Sequence, residues 1–210
     1  MDLNRKIDFG INLLRSIPQD GPIELSYSGG KDSDVIFELA TMAQIPFEAI
    51  YKNTTIDPPG TIAHAREKGV TIMQPKKTFF QLIEAKGLPN RFARFCCSEL
   101  KEYKVHARAI QGIRREESTK RAERYKEPER CRLYPHGEKV RVYFPILEWT
   151  LEDVSKFIKD RSIKLAPAGA DLYTVSKLLG HTNVATTQIY AKIVNSKKVE
   201  AVNLLDGLFK

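Results

Sequence analysis

The sequence predicts an α/β fold, a parallel twisted sheet with helices on both faces, joined to a short all-α tail. Two patterns carry that expectation. Short apolar strands alternate with segments of helical period from Ile23 to about Ala85. A glycine pair, in Ser28-Gly29-Gly30-Lys31-Asp32-Ser33, stands where the first strand gives way to a helix. The 210 residues, 42% of them hydrophobic, suffice for one α/β domain of ordinary size and a small appendage.

Taken in order, Ile7, Ile11 and Leu14, with Phe9 and Leu13 one residue off, give residues 5–17 an apolar helical stripe. Pro18 and the Asp20-Gly21-Pro22 turn close it. Ile23 and Leu25 alternate with polar neighbours as a first strand, and Val35, Ile36, Leu39 and Ala40 recur as a helix. Pro46 precedes a second strand at 47–51, and Pro58-Pro59-Gly60 breaks the chain before a helix at 61–68. A strand at 70–73 and a helix at 79–85 complete a βαβαβ rhythm, which requires right-handed crossovers. Val105, Ala107 and Ala109 alternate as a fourth strand leading to Gly112. A final strand spans 140–146. Its helix opens on a capping-box pair, Thr150 and Asp153, with Leu151, Val154, Phe157 and Ile158 as the buried stripe.

No apolar run approaches the roughly 18 residues of a membrane span. The first residues lack the apolar stretch of a signal peptide, so a cytoplasmic protein without a membrane partner is expected. Three cysteines, two of them adjacent, make no disulfide framework. The net charge of +8 is concentrated between Arg91 and Arg132, where thirteen lysines and arginines face seven acids. Such an excess suits a multiply anionic ligand or DNA.

A glycine pair at a strand-to-helix turn lets backbone N–H groups bend toward one point, and the helix N-terminus adds unpaired donors. Lys31 supplies a mobile charge, and the Ser28 and Ser33 hydroxyls further donors. The loop is not of the Walker type, because Asp32 stands where a Mg²⁺-binding hydroxyl belongs. At the exit of the fourth strand, Gly112 is followed by Arg114, Glu117, Ser118 and Arg121, a second set of anion-binding groups at the same sheet edge.

Ser28-Gly29-Gly30-Lys31-Asp32-Ser33 resembles the pyrophosphate loop (PP-loop) of the adenine-nucleotide α-hydrolase superfamily. The later order, Cys96-Cys97-x-x-Leu100-Lys101 and then Gly112-Ile113-Arg114-x-Glu116-Glu117-Ser118-x-x-Arg121, resembles the phosphoadenosine phosphosulfate (PAPS) reductase family. Proteins that insert sulfur during DNA phosphorothioation look similar. The resemblance covers about residues 5–165 and implies a nucleotide-binding domain over 1–165. It implies that Ser28, Gly29, Gly30, Lys31, Asp32, Ser33, Arg114, Glu117, Ser118 and Arg121 hold the phosphate or sulfate of ATP, adenosine phosphosulfate (APS) or PAPS. The implied activity is that of a PAPS reductase-like oxidoreductase or an adenylating sulfur-transfer enzyme.

In the family's cluster-bearing branch a Cys-Cys pair is completed by a downstream Cys-x-x-Cys. This chain carries only Cys131 there, with His136 five residues on. An iron–sulfur cluster is therefore short of ligands, while Cys96, Cys97, Cys131 and His136 would close a tetrahedral zinc site. The family's assimilatory reductases also use a cysteine near the C-terminus, and no cysteine follows Cys131.

From residue 166 to 210 the character changes to a helical tail. Leu178 to Tyr190, containing Gly180-His181-Thr182 and Tyr190, resembles the end of tyrosine recombinases. There the histidine supports a scissile phosphate and the tyrosine attacks it. A phenol needs neighbouring cations for that step, and the family's other catalytic residues belong upstream, where this chain has a nucleotide-type domain. His181 and Tyr190 are thus expected to be catalytically idle. The tail and the basic stretch together keep a second reading open, a DNA-associated protein of a mobile element with a vestigial nucleotide site.

Overall fold

The computed structural model describes residues 2–58, 60–87, 95–103, 105–135 and 137–167, with only the backbone of Cys96. The chain divides into two units, residues 1–54 with 61–166, and residues 55–60 with 167–210. The tail with His181 and Tyr190 lies outside the described residues.

Helix α1 (Leu3–Arg15) starts at Asp2, whose carboxylate accepts the Arg5 N–H. It is followed by strand β1 (Ile23–Tyr27), helix α2 (Lys31–Ala43), strand β2 (Glu48–Lys52), helix α3 (Thr61–Glu67), strand β3 (Thr71–Met73) and helix α4 (Phe79–Lys86). Helix α5 (Phe95–Leu100) carries the paired cysteines. Strand β4 (Arg108–Ile110), a 3-10 turn at Arg115–Glu117, helix α6 (Thr119–Arg124), strands β5 (Glu129–Leu133) and β6 (Lys139–Tyr143) and helix α7 (Leu151–Asp160) complete the unit.

The six strands lie in the order β3-β2-β1-β4-β6-β5. The first five run parallel, and β5 is antiparallel to β6 at the edge. The chain thus winds outward from β1 through β2 to β3, then returns to lay β4 on the other side of β1. That reversal makes the carboxyl ends of β1 and β4 the switch point, where a doubly wound sheet leaves a crevice.

Alternation along the strands decides the two faces. Ile23, Leu25 and Tyr27 face one side with Ala49, Tyr51, Ile110 and Tyr143, against Leu14 of α1, Val35, Ile36, Leu39 and Ala40 of α2, and Val154 and Phe157 of α7. The stripes expected of those helices pack against this face, except that Leu151 at the start of α7 is 51% exposed. Phe9, off that stripe, is 45% exposed. On the opposite side Ala109, Val140 and Val142 pack with Tyr125, Tyr134, Phe144 and Leu147. The Thr150–Asp153 capping box forms as expected, and Asp153 also takes an ion pair from Lys6 at 2.5 Å, joining α1 to α7.

Two details depart from the sequence pattern. The fourth strand is only Arg108–Ile110, because Val105 N–H is diverted to the Glu24 carboxylate at 3.0 Å instead of joining a ladder. The antiparallel strand β5 carries no apolar alternation; Glu-Arg-Cys-Arg-Leu is held by pairing with β6 alone. Among the described residues no helix is long and apolar enough to cross a membrane.

Candidate functional site

The glycine loop lies at the carboxyl end of β1. Gly29 has φ +73°, a left-handed conformation that glycine adopts without strain, and a Cβ there would stand 2.3 Å from Thr61 Cγ2. No side chain fits at that position. Gly30 is the N-cap of α2 and has no side chain to cap it, so the helix's first N–H groups are left without a side-chain acceptor from the cap. The Ser33 hydroxyl donates to Gly30 O at 2.6 Å and lies 3.3 Å from Ser28 Oγ, which itself accepts weakly from Gly30 N–H at 3.4 Å. The loop is drawn into one curve by its own hydroxyls.

The second segment arrives from β4. A Cβ on Gly112 would stand 2.9 Å from Asp32 O and 3.1 Å from its carbonyl carbon. Only a glycine lets the β4 exit lie this close to the first turn of α2. Two residues on, Arg114 is almost wholly buried and donates through Nε to Asp32 Oδ1 at 2.9 Å and through Nη1 to Glu116 at 2.8 Å. Lys31 Nζ lies 3.1 Å from the other Asp32 oxygen. Asp32 is therefore held between two cations, and Arg114 braces the loop from behind.

Each residue expected at the site can now be placed. Ser28, Gly29, Gly30, Lys31, Asp32 and Ser33 form one turn, and Arg114 joins it through Asp32. Glu117, Ser118 and Arg121 have partners among themselves: Arg121 pairs with Glu117, and Ser118 caps α6 by accepting the Arg121 N–H at 3.2 Å. The basic stretch is likewise laced with partners, since Arg115 pairs with Glu148 and Arg132 with Glu102. Among the described residues no group of three or more His, Cys, Asp or Glu is placed to hold a metal. The side chain of Cys96 and all of His136 lie outside them, so the four-residue zinc set is described only at Cys97 and Cys131.

Sequence reasoning missed the support beneath the loop. Asp34, in the first turn of α2, is fully buried; it accepts from the Tyr27 hydroxyl at 2.5 Å and from Lys68 Nζ at 3.1 Å. His64 Nε2 lies 3.1 and 3.2 Å from its two oxygens. One carboxylate thus ties β1, α2 and α3 together directly under the loop. In sequence, Asp34 is only a second acid in a helix's first turn, where acids are ordinary. Nothing in its spacing announces burial.

A second buried pair lies on the other face of β1. Glu24 is 0% exposed; Lys52 Nζ pairs with it at 3.2 Å, reaches the Tyr103 carbonyl and covers the Tyr103 ring at 4.4 Å. Burial pulls the Lys52 ammonium below the ordinary lysine range, against the charge of Glu24, which raises it. Burial also pushes Tyr103, Tyr134 and Tyr143 above the ordinary phenol range, and Tyr27 furthest, with the Asp34 hydrogen bond and charge adding to burial.

A pH dependence follows from these directions. A phenol whose pKa is raised by folding contributes stability that is intact below the unfolded value near 10 and is lost as pH rises beyond it. A lysine with a depressed pKa works the other way, adding stability as pH rises toward about 10.4. Four tyrosines outweigh one lysine, so unfolding free energy is expected to fall above about pH 10, by up to roughly 1.4 kcal/mol per pH unit for each phenol. Urea unfolding at stepped alkaline pH reads this directly, and a flat profile up to about pH 11 would contradict it.

Fold and site together define an α/β protein with a doubly wound sheet and a glycine loop at its switch point. Residues 22–174 match the model of the phosphoadenosine phosphosulfate reductase domain, and the chain belongs to that family. An uncharacterised protein of Methanocaldococcus jannaschii is 34% identical over 149 residues, which cover 65% of this chain and 35% of that one. The chain spans about a third of that relative's length. An NH3-dependent NAD synthetase from Campylobacter jejuni, solved with a nitrate ion, superposes with a TM-score of 0.50 at 16% identity over 78% of this chain and 75% of that one. It shares the fold.

Proposed function

We propose that the chain binds an adenine nucleotide carrying a phosphate or sulfate chain, ATP, APS or PAPS, on the Ser28–Ser33 loop, and acts on it as an adenylating or sulfonucleotide enzyme. The observation that supports this best is the approach of Gly112 to Asp32, which joins the two anion-binding segments at the switch point. Backbone N–H groups at the start of α2 and the Lys31 ammonium supply donors for oxyanions. Arg114 acts through Asp32, fixing the loop so that its donors need not reorganise.

In adenylyl transfer the departing pyrophosphate, and in sulfonyl transfer from APS or PAPS the departing adenosine phosphate, gathers negative charge as the bond to the transferred group breaks. Donors fixed at that place stabilise the transition state more than the ground state. The family match supports the nucleotide class.

Thermal unfolding with each nucleotide tests the reading. A ligand at about one hundred times its Kd adds about 2.7 kcal/mol, an expected Tm rise of roughly 5–10 °C for a chain of this size. Lys31→Ala combined with Ser33→Ala should remove most of that rise. No shift with ATP, APS or PAPS at millimolar concentration, or an undiminished shift in the double variant, contradicts it.

A further inference from the structure

We infer that the groove over the start of β4 and over β6 is a thiol-modification site, in which Cys131 undergoes exchange with small disulfides that carry carboxylates. The groove, of about 330 Å³, is lined by Arg108, Lys139 and Arg141 together with Cys131 and Tyr143. Its lining takes in the amino end of β4 at Arg108 and β6 from Lys139 to Tyr143, and includes no residue of the glycine loop. Nothing in the nucleotide reading uses it.

Strand register builds the site. Cys131 on β5 faces Arg141 on β6, and Arg141 faces Arg108 on β4, so one row across the sheet carries a thiol and two guanidinium groups. The Cys131 side chain is exposed, directly across the register from Arg141. Two acids face the row from outside: Asp20 pairs with Arg108, and Glu129 lies 3.5 Å from Arg141. Both are partly exposed, and among the described residues Lys139 has no ion-pair partner, which leaves the groove cationic. A volume of that size is at the lower end of small-molecule sites, of order 300 Å³ upward.

The disulfide is itself the oxidant: Cys131 is oxidised to a mixed disulfide and one half of the small disulfide is reduced to a thiol. Cys131 Sγ attacks one sulfur of the disulfide, a Cys131–S–S–R bond forms, the original S–S bond breaks, and the leaving thiolate takes the proton that Cys131 gave up. The cations raise the local concentration of an anionic disulfide and repel a cationic one, so the selectivity comes from steering.

The test compares oxidised glutathione, 2-hydroxyethyl disulfide and cystamine, anionic, neutral and cationic, on the reduced full chain, each rate divided by that of a free cysteine peptide. Intact mass and peptide mapping locate the adduct. Expected are first modification at Cys131, a normalised preference of about tenfold for glutathione over the neutral disulfide, and a similar penalty for cystamine. That preference should shrink several-fold as salt rises from about 0.01 to 0.5 M. Arg141→Gln should remove most of it while the neutral disulfide still reacts; should that variant fail to fold, Lys139→Gln and the salt series carry the same comparison. Equal normalised rates for the three disulfides, a preference indifferent to salt, or first modification at Cys96 or Cys97 overturns the inference.

Discussion

Asp34→Ala is expected to lower the unfolding free energy by about 3–5 kcal/mol, the range for removing one partner from a buried charged cluster. The carboxylate is fully buried and serves three groups, the Tyr27 hydroxyl at 2.5 Å, the His64 ring and the Lys68 ammonium. Alanine leaves the hydroxyl and the imidazole without their acceptor in places that water does not reach, and each orphan adds its own desolvation cost. At roughly 2–4 °C per kcal/mol the Tm should fall by about 6–20 °C. Asp34→Asn keeps an acceptor for Tyr27 and loses only the charge, so its cost should be about half. An alanine variant within about 1 kcal/mol of the parent by urea unfolding would show that the cluster contributes little.

The second large effect concerns the junction of the two segments. Gly112→Val places a branched Cβ where even one carbon would stand 2.9 Å from the Asp32 carbonyl oxygen. That neighbour is backbone in the first turn of α2, anchored above by the Arg114 bond to Asp32 and below by Asp34. It cannot turn aside as a flexible side chain would, so the β4 exit and the loop must separate. A cost of about 1–3 kcal/mol is expected from the overpacking. The apparent Kd for nucleotide should rise by at least about tenfold, because a loop shifted by a fraction of an ångström misdirects its donors. Calorimetric titration of the purified variant separates the two effects. Unchanged affinity in a destabilised but folded variant would mean that Gly112 matters for packing alone.

Much of this fold can be read along the chain, and the reasons are local. The stripe of Ile7, Ile11 and Leu14, the run Val35 to Ala40, and the Thr150–Asp153 box each state their element within a few residues. So does the glycine pair, since a positive φ at Gly29 and a cap at Gly30 are properties of the turn itself. Strand β5 was invisible because its order comes from a partner strand and not from its own Glu-Arg-Cys-Arg-Leu pattern. The short reach of β4 was hidden for a related reason: the Val105 N–H is claimed by Glu24, 81 residues away.

The sequence by itself determined the class of the domain, the place of the glycine loop and the residue types that form it, because spacing and glycine content act within one or two turns of chain. Only the tertiary structure decided which of those residues meet. The return of the chain to the far side of β1 puts Gly112 against Asp32, bonds Arg114 to Asp32 in the first turn of α2, and buries an ordinary-looking Asp34 beneath the loop. Contacts between residues thirty to eighty positions apart depend on strand order, and strand order is settled by which apolar faces can be covered at once, a property of the whole chain.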